Sequence, residues 1–244
     1  MTGLIALLAA VVIAGTPVEQ AFVGGETLDY NLHWMKVSGG SARMTIGLVP
    51  DDPGRFRISS VGKSNPGFSR IFHVRDHIET VVTRPNFSTV YYRKQLNEKG
   101  RRKDEVTVIA DGVATRTTTR TKQVKVPTPV MDPISVIYFL RTADLSVGRT
   151  HELTLISDGK IYEVRAKVLR RERIQTPAGV FNTVVVEPQM ESSHQARDER
   201  LWVWYSDDER RLPVRIRTEV AFGAITATLR AVAPGVSSIE PHAD

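Results

Sequence analysis

The sequence predicts an all-β protein: a curled sheet or open barrel-like fold of about a dozen mostly antiparallel strands, with one buried helix near 132–141. Three observations support this prediction. Short segments alternate between apolar and polar residues, as strands with one buried face do. Turn dipeptides such as Asp111-Gly112 and Asp158-Gly159 separate the segments at spacings typical of antiparallel barrels. Only one segment after the N-terminus has the composition and cap of a helix.

The first third of the chain is typical of a meander of antiparallel strands. Glu26 to Trp34 alternates, with its apolar residues on one face. Ser38-Gly39-Gly40 predicts a turn, and Ser41 to Leu48 then alternates again. Asp51-Asp52-Pro53-Gly54 is a strong turn signal before a third strand at Arg55 to Ser64.

Further alternating segments predict the rest of the sheet. They cover residues 71–83, 88–96, 104–110, 114–121, 150–156, 160–173, 180–187, 201–205, 212–220 and 224–232. A single β-rich domain over 22–233 is the simplest organisation, followed by a flexible tail at 234–244. A division into two sub-sheets at the helix is the alternative.

The predicted helix has a clear beginning and an apolar body. Asp132 can accept hydrogen bonds from the first turn, and Pro133 suits the first helical position. Residues 134–140 are apolar apart from Ser135, so we expect the helix to be buried and Ser135 to bond its own turn. Asp76 and Arg141 lie beside apolar segments and are candidates to pair, although nothing in the sequence fixes their partners.

Residues 1–21 are predicted to be a signal peptide and leader. Leu4 to Ala14 is an apolar run of the length of a signal-peptide core, too short for a comfortable membrane span, although no Lys or Arg precedes it. An uncleaved anchor and a buried segment are the alternatives. Export would place the protein in the periplasm or outside the cell, with no transmembrane span in the mature chain.

Composition excludes several kinds of chemistry. The absence of cysteine excludes disulfides, thiolate metal sites, thiol nucleophiles and a lipid-modified N-terminal cysteine, so the protein is not predicted to be a lipoprotein. The net charge of +6 comes from scattered basic residues. Solvated turns and strand faces explain them most simply, and a surface for polyanions or anionic lipids is the alternative. No motif predicts a nucleic-acid partner.

The sequence contains no convincing catalytic or metal-binding group, and no cofactor is predicted. His73, His77 and Glu79 would share one face of a strand, but strand residues four apart stand roughly 13 Å apart, too far to chelate one ion. Asp207-Asp208 could be half of an acid–base pair, but its surroundings favour a turn. No Gly-x-Ser-x-Gly or phosphate-binding glycine loop occurs.

Aromatic residues suggest a ligand cavity instead. Trp202 and Trp204 share one face of a predicted strand, where plain core packing is the simpler explanation and a ligand wall the alternative. Large curled sheets can enclose cavities for apolar ligands. The candidate cavity wall consists of Trp202, Trp204, Tyr138, Phe139 and Trp34.

Several phrases together carry a family resemblance. They are Gly25-Glu26-Thr27-Leu28-Asp29-Tyr30, Ser64-Asn65-Pro66, the helix phrase 132–141, Thr176-Pro177-Ala178-Gly179-Val180-Phe181 and Trp204-Tyr205-Ser206-Asp207-Asp208 with Arg211-Leu212-Pro213-Val214. From about residue 24 to 230 the chain resembles the bacterial exported family known as domain of unknown function 3108. The resemblance implies an exported, β-rich, barrel-like protein and implies no reaction.

These observations favour a non-catalytic periplasmic or exported envelope protein. We expect it to bind an apolar or lipid-like ligand or an envelope protein. An envelope-associated hydrolase or metal-dependent enzyme is the first alternative, and a structural scaffold is the second.

Overall fold

A computed structural model describes residues 16–70, 73–98, 100–191, 200–220 and 223–234. The described elements are α1 (Pro17–Val23), β1 (Glu26–Trp34), β2 (Val37–Val49), β3 (Asp52–Ser64), α2 (Pro66–Ser69), β4 (Arg75–Thr83), β5 (Thr89–Glu98), β6 (Arg101–Ala110), β7 (Val113–Thr117), β8 (Thr121–Lys125), α3 (Pro133–Thr142), β9 (Thr150–Ser157), β10 (Lys160–Thr176), β11 (Gly179–Glu191), β12 (Arg200–Ser206), β13 (Pro213–Val220) and β14 (Gly223–Pro234).

The fourteen described strands form one antiparallel sheet, which confirms the predicted fold class. Its order is β8-β7-β6-β5-β4-β3-β2-β1-β14-β13-β12-β11-β10-β9. Each half of the chain is a meander, and the pairing of β1 with β14 joins the two halves. The two ends of the sheet, β8 and β9, are not paired with each other in the described residues, so the sheet is curled but unclosed.

A segment without regular structure spans the seam between these two ends. We call residues 126–132 the strap. On one side, the backbone N–H of Ile156 in β9 donates to the Met131 carbonyl at 2.8 Å. On the other side, the backbone N–H of Thr89 in β5 donates to the Val130 carbonyl at 2.8 Å. The strap therefore connects β9 with β5 through backbone hydrogen bonds.

Helix α3 follows the strap into the core, as predicted. The buried Asp132 carboxylate accepts from the backbone N–H groups of Ile134 and Ser135 and from the hydroxyls of Thr80 and Thr89, at 2.7–3.1 Å. These bonds satisfy the free N–H groups of the first turn and fix the helix to β4 and β5. Ser135 Oγ donates to the Asp132 carbonyl at 2.9 Å, so it bonds its own turn.

The expectation of a single helix after the N-terminal segment is wrong, because α1 and α2 are also present. Thr16 and Glu19 form a capping box at the start of α1, and Val18 and Phe22 are buried in the core. The segment assigned above to the leader therefore includes Val18, which is buried in the core. A helix of seven residues is too short to show a periodic pattern. The apolar run from Leu4 to Ala14 lies outside the described residues.

The turn predicted at Ser38-Gly39-Gly40 is also wrong. The chain reverses earlier, at Met35 and Lys36, and Gly40 lies within β2. A Cβ atom at Gly40 would stand 2.1 Å from the carbonyl oxygen of Lys63 in β3. Glycine is required here because the neighbouring backbone approaches closely. From the sequence alone, such a glycine within a strand cannot be distinguished from a glycine in a turn.

In the described part of the chain, no helix is both long enough and apolar enough to cross a membrane.

Replacing the fully buried Tyr138 by alanine should lower the free energy of unfolding by about 3 kcal/mol or more, because it leaves a large cavity in the core. Tyr138→Phe should change it by less than about 1 kcal/mol, because the hydroxyl has no hydrogen-bond partner among the described residues. Denaturant unfolding followed by circular dichroism measures both values. A negligible effect of the alanine variant would show that α3 does not pack in the core.

Candidate functional site

The structure does not bring the candidate cavity wall together. Tyr138 is fully buried inside the core, and Phe139 packs against Phe87 with ring centroids 6.3 Å apart. Trp34 lies at the far end of β1, where its ring meets Phe68 at 5.9 Å. Tyr138 and Phe139 are therefore neighbours in α3, whereas Trp34 lies in another part of the fold.

Trp204 of β12 is buried in the hydrophobic core and Trp202 packs against this core, in agreement with plain core packing, and charged side chains lie over both rings. The Arg200 guanidinium stacks over Trp202 at 4.5 Å, and that of Arg215 lies 5.7 Å from the centre of the Trp204 ring. The indole N–H of Trp204 donates to Glu172. The neighbouring Tyr205 donates instead to a carbonyl of α3, so the tryptophans face away from the helix.

A cleft of about 870 Å³ opens at another place, at the end of the sheet where α1 lies. We call it the mouth cleft. Its walls are the β2–β3 turn, the loop 83–90, the β6–β7 turn, Glu19 of α1 and Thr128 of the strap. Phe56 and Phe87 form its apolar floor, and both are almost fully buried. The cleft draws on five separate segments, so no local sequence pattern reveals it.

The loop before β5 aims Phe87 into the mouth cleft. Phe87 has a φ of 53°, a left-handed conformation that is rare for a bulky residue. The Asn86 side chain accepts from the Thr83 hydroxyl at 2.5 Å and from the Ser88 N–H at 3.1 Å. The Phe87 N–H donates to the Thr83 carbonyl at 3.0 Å. These bonds maintain the strained residue with its ring toward Phe56.

Charged groups lie at the rim of the mouth cleft. Arg84 is exposed, donates to the Pro53 carbonyl at 2.9 Å and lies over the Phe56 ring at 5.4 Å. Glu19 and Asp111 are exposed on other walls. An apolar floor under a sparse polar rim is the usual composition of a site for an apolar or amphiphilic molecule.

A buried ion pair lies deeper in the core. Arg141 is fully buried, and its Nη1 donates to Glu26 Oε1 at 2.6 Å. Its Nη2 also donates to the Arg210 carbonyl at 3.0 Å. The suggested pairing of Arg141 with Asp76 is therefore wrong. The true partner is 115 positions away in sequence, a distance at which no local signal exists.

Three buried tyrosines surround this ion pair. Burial raises the pKa of Tyr30, Tyr138 and Tyr205, so all three stay protonated at neutral pH. The hydroxyl of Tyr30 donates to the Pro213 carbonyl at 2.8 Å, and that of Tyr205 donates to the Ile137 carbonyl at 2.9 Å. The Tyr30 bond therefore connects β1 to β13, and the Tyr205 bond connects β12 to α3.

The histidine group suggested by the sequence does not converge. His73 precedes β4 and lies outside the strand. The His77 ring bonds the Ser59 hydroxyl at 3.1 Å, and Glu79 pairs with Arg57 at 3.6 Å. Within the described ranges, no three His, Cys, Asp or Glu side chains are close enough to hold a metal ion.

The acidic pair after β12 lies in a turn, as its surroundings indicate. Asp208 Oδ1 accepts from the backbone N–H groups of Arg210 and Arg211, each at 3.1 Å. Asp207 accepts from Arg171 at 2.7 Å. Both carboxylates thus hold the β12–β13 connection together.

A second charged cluster joins the two sides of the seam. Asp158, at the β9–β10 turn, accepts from Lys94 at 2.8 Å and from Lys103 at 2.6 Å. Glu105 is buried beside them and accepts from Arg116 at 2.7 Å. Partial burial would raise the pKa of Asp158, but the hydrogen bonds from the two lysines outweigh it and hold that pKa well below its usual value.

The comparisons with known proteins place the chain in a family. The family described as "Protein of unknown function (DUF3108)" matches residues 29–230. The chain belongs to the DUF3108 family. No curated protein matches it.

Solved structures similar to this DUF3108 protein share little sequence with it. A β-barrel-like protein of domain of unknown function DUF1849 from Brucella abortus is 9% identical, with a TM-score of 0.61, and the match covers 87% of this chain and 98% of that chain. This similarity shows a common fold.

Two further structures match less well. One is described as a candidate exported protein with a YmcC-like fold from Bacteroides fragilis, at 12% identity and a TM-score of 0.33, covering 86% of this chain and 96% of that chain. The other is described as a candidate lipoprotein from Parabacteroides distasonis, at 13% identity and a TM-score of 0.36, covering 87% and 98%.

Asp158→Asn is expected to destabilise this DUF3108 protein in a pH-dependent way. Because the pKa of Asp158 is lower in the folded than in the unfolded chain, its carboxylate contributes stability above about pH 4, and that contribution is lost as the pH falls further. The difference in free energy of unfolding between wild type and variant should therefore be largest at pH 5–7 and shrink toward pH 2. Urea unfolding at several pH values measures it.

The matched control is Asp111→Asn. Asp111 occupies the same position in the other Asp-Gly turn, with the same φ of 50°, and has no ion pair with the described residues. A pH-independent effect at Asp158, or an equal effect at Asp111, would contradict the role assigned to the seam cluster.

Proposed function

We propose that this protein is a non-catalytic envelope protein that binds an apolar or lipid-like ligand in the mouth cleft. The cleft itself carries the proposal. Its volume of about 870 Å³ falls within the range of small-molecule sites, and its floor consists of the aromatic residues Phe56 and Phe87. The strained conformation of Phe87 supports a binding role, because such strain is often concentrated at functional sites.

The surroundings of the cleft favour an acyl chain or similar apolar group over a charged metabolite. The rim carries one basic side chain, Arg84, and two acidic ones, Glu19 and Asp111. Among the described residues that line the cleft, no cluster of like charges faces the floor to compensate a phosphate or carboxylate. Because Phe56 and Phe87 are already almost fully buried, the apolar surface that a ligand would cover belongs mainly to Pro53, Pro85 and Ile109. Its removal from water would contribute about 25 cal/mol for each Å².

Several observations support a binding role over catalysis. His77, Asp207 and Asp208, the candidate catalytic groups, are engaged in hydrogen bonds or ion pairs that stabilise strands and turns. The fully buried Arg141 pairs with Glu26 in the core, away from the cleft residues.

An envelope location rests on the sequence. The apolar run Leu4 to Ala14 has the length of a signal-peptide core. The family resemblance implies export as well. A protein in the periplasm or outside the cell would meet lipids and other apolar envelope molecules directly.

The mouth cleft can be tested by filling it. Ala110 lines the cleft and is exposed, so Ala110→Trp should occupy the space without removing core contacts. We expect the binding of N-phenyl-1-naphthylamine, measured by its fluorescence increase, to weaken at least tenfold. Ala231→Trp, at an exposed position of β14, is the matched control and should bind the probe as wild type does.

Native mass spectrometry of the protein purified from its own envelope gives a second measurement. A co-purified lipid that the Ala110→Trp variant lacks would support the proposal. Equal probe binding by wild type and Ala110→Trp, with both proteins folded, would contradict it.

A further inference from the structure

The end of the sheet opposite the mouth cleft carries a group of apolar residues that nothing covers within the described chain. Met35 is 62% exposed, Val37 56% and Ile225 47%. Trp34 and Phe68 lie beside them, half-buried. We call these five residues the apolar tip. Strand β3 begins at the cleft and ends beside the tip, so the two features lie at opposite ends of the same strands.

The fold builds the apolar tip from two adjacent hairpin ends. Trp34 in β1 is directly opposite Val37 in β2 on one side and Ile225 in β14 on the other. The Met35 N–H donates to the Ala224 carbonyl at 2.7 Å, which joins the two ends. The exposed residues are therefore held in one place by strand pairing.

Close packing fixes the tip further. A Cβ atom at Gly223 would stand 2.9 Å from the Trp34 indole nitrogen and 3.3 Å from Met35 Cγ. Gly223 also has a φ of 138°, which disfavours any other residue. Met35 itself has a φ of 53°. The chain thus keeps an exposed methionine in a constrained conformation, although exposure of large apolar side chains is unfavourable in water.

Basic side chains surround the apolar tip. Lys36 lies in the hairpin end itself, Lys63 and Arg75 are paired across β3 and β4, and Arg70 follows α2. All four are exposed and have no ion-pair partner among the described residues. Three acidic residues lie on this side: Glu98 is opposite Val74, Asp76 is opposite Gly62, and Glu219 is opposite Ala224 and pairs with Arg217. The surroundings of the tip therefore carry a net positive charge.

We propose that the apolar tip and its basic surroundings bind the surface of a membrane that contains anionic phospholipid. Trp, Met, Val and Ile side chains would enter the interfacial layer, where tryptophan is favoured. The lysines and arginines would contact the anionic headgroups, which attract basic side chains strongly. A second copy of the chain is a poor occupant of the apolar tip. The basic residues around its own tip would lie close to the basic residues around this one, and like charges repel.

Flotation with lipid vesicles tests the proposal on the full chain. Wild type is expected to bind vesicles of phosphatidylethanolamine and phosphatidylglycerol at 3:1 and to bind phosphatidylcholine vesicles much more weakly. The double variant Met35→Asn with Ile225→Thr should bind the anionic vesicles at least tenfold more weakly. Asparagine tolerates the φ of Met35 and threonine suits a strand, so both changes preserve the fold.

The matched control removes exposed apolar residues elsewhere. Val108 is 45% exposed and Val180 52% exposed, and both lie away from the tip. Val108→Thr with Val180→Thr should bind the vesicles as wild type does. Every protein in the comparison carries the same N-terminal apolar run. A difference in vesicle binding between the variants therefore measures the contribution of the apolar tip.

A second pair of variants tests the charges. Lys63→Gln with Arg75→Gln should weaken binding to the anionic vesicles about 25-fold, since each basic side chain near an anionic surface contributes about fivefold. Lys167→Gln with Arg173→Gln removes the same charge from exposed positions of β10 and should have little effect. Binding should also fall as the salt concentration rises.

A third measurement locates the contact. The chain has three tryptophans, so Trp202→Phe with Trp204→Phe leaves Trp34 as the only one. Brominated lipids should quench its fluorescence in anionic vesicles. An unquenched Trp34, equal binding to the two vesicle types, or equal binding by the tip and control variants would each overturn the proposal. Binding of a soluble acidic protein at the tip, without vesicle binding, would overturn it as well.

Discussion

The fold depends on how a sheet that does not close on itself is held in its curled form. The strands β8 and β9 end the sheet without pairing in the described chain, and an unpaired edge leaves backbone groups to be satisfied. Met131 of the strap supplies part of the missing hydrogen bonds to β9, and Val130 joins the strap to β5. The Asp158 cluster, in the turn after β9, adds ion pairs to β5 and β6. A peptide segment and a charged turn thus do together what strand pairing does in a closed barrel.

The same segment positions the helix that fills the curled sheet. Asp132 ends the strap and caps α3, and its carboxylate is fully buried but hydrogen-bonded by four donors. At the other end of α3, Arg141 is buried against Glu26. Buried charges are costly unless they are paired, and removing one partner leaves the other uncompensated. The helix is therefore fixed at both ends by polar contacts that tolerate few substitutes, while its apolar side chains fill the space between.

Much of the fold can be predicted from local sequence patterns, whereas the candidate sites cannot. Alternation predicts the strands because one face of each is buried, and the cap at Asp132 predicts α3 because its chemistry is contained in four adjacent residues. The ion pair between Glu26 and Arg141 and the walls of the mouth cleft depend on contacts between distant segments, which leave no periodic signal. The suggestion that the tryptophans of β12 form a ligand wall fails for a related reason. Arginines from their own strand and from a neighbouring strand lie over the two rings.

The pairing of β1 with β14 has a consequence for how the chain folds. Glu26 is opposite Pro234, so the first and last strands of the sheet must meet across nearly the whole described chain. Every other strand pair joins neighbours in sequence and can form as soon as both strands exist. Contacts between distant segments form slowly because of the entropy of closing a long loop. We expect two meanders to form early and their union to limit the rate, which leaves β1 with an open edge until the C-terminal strand is available.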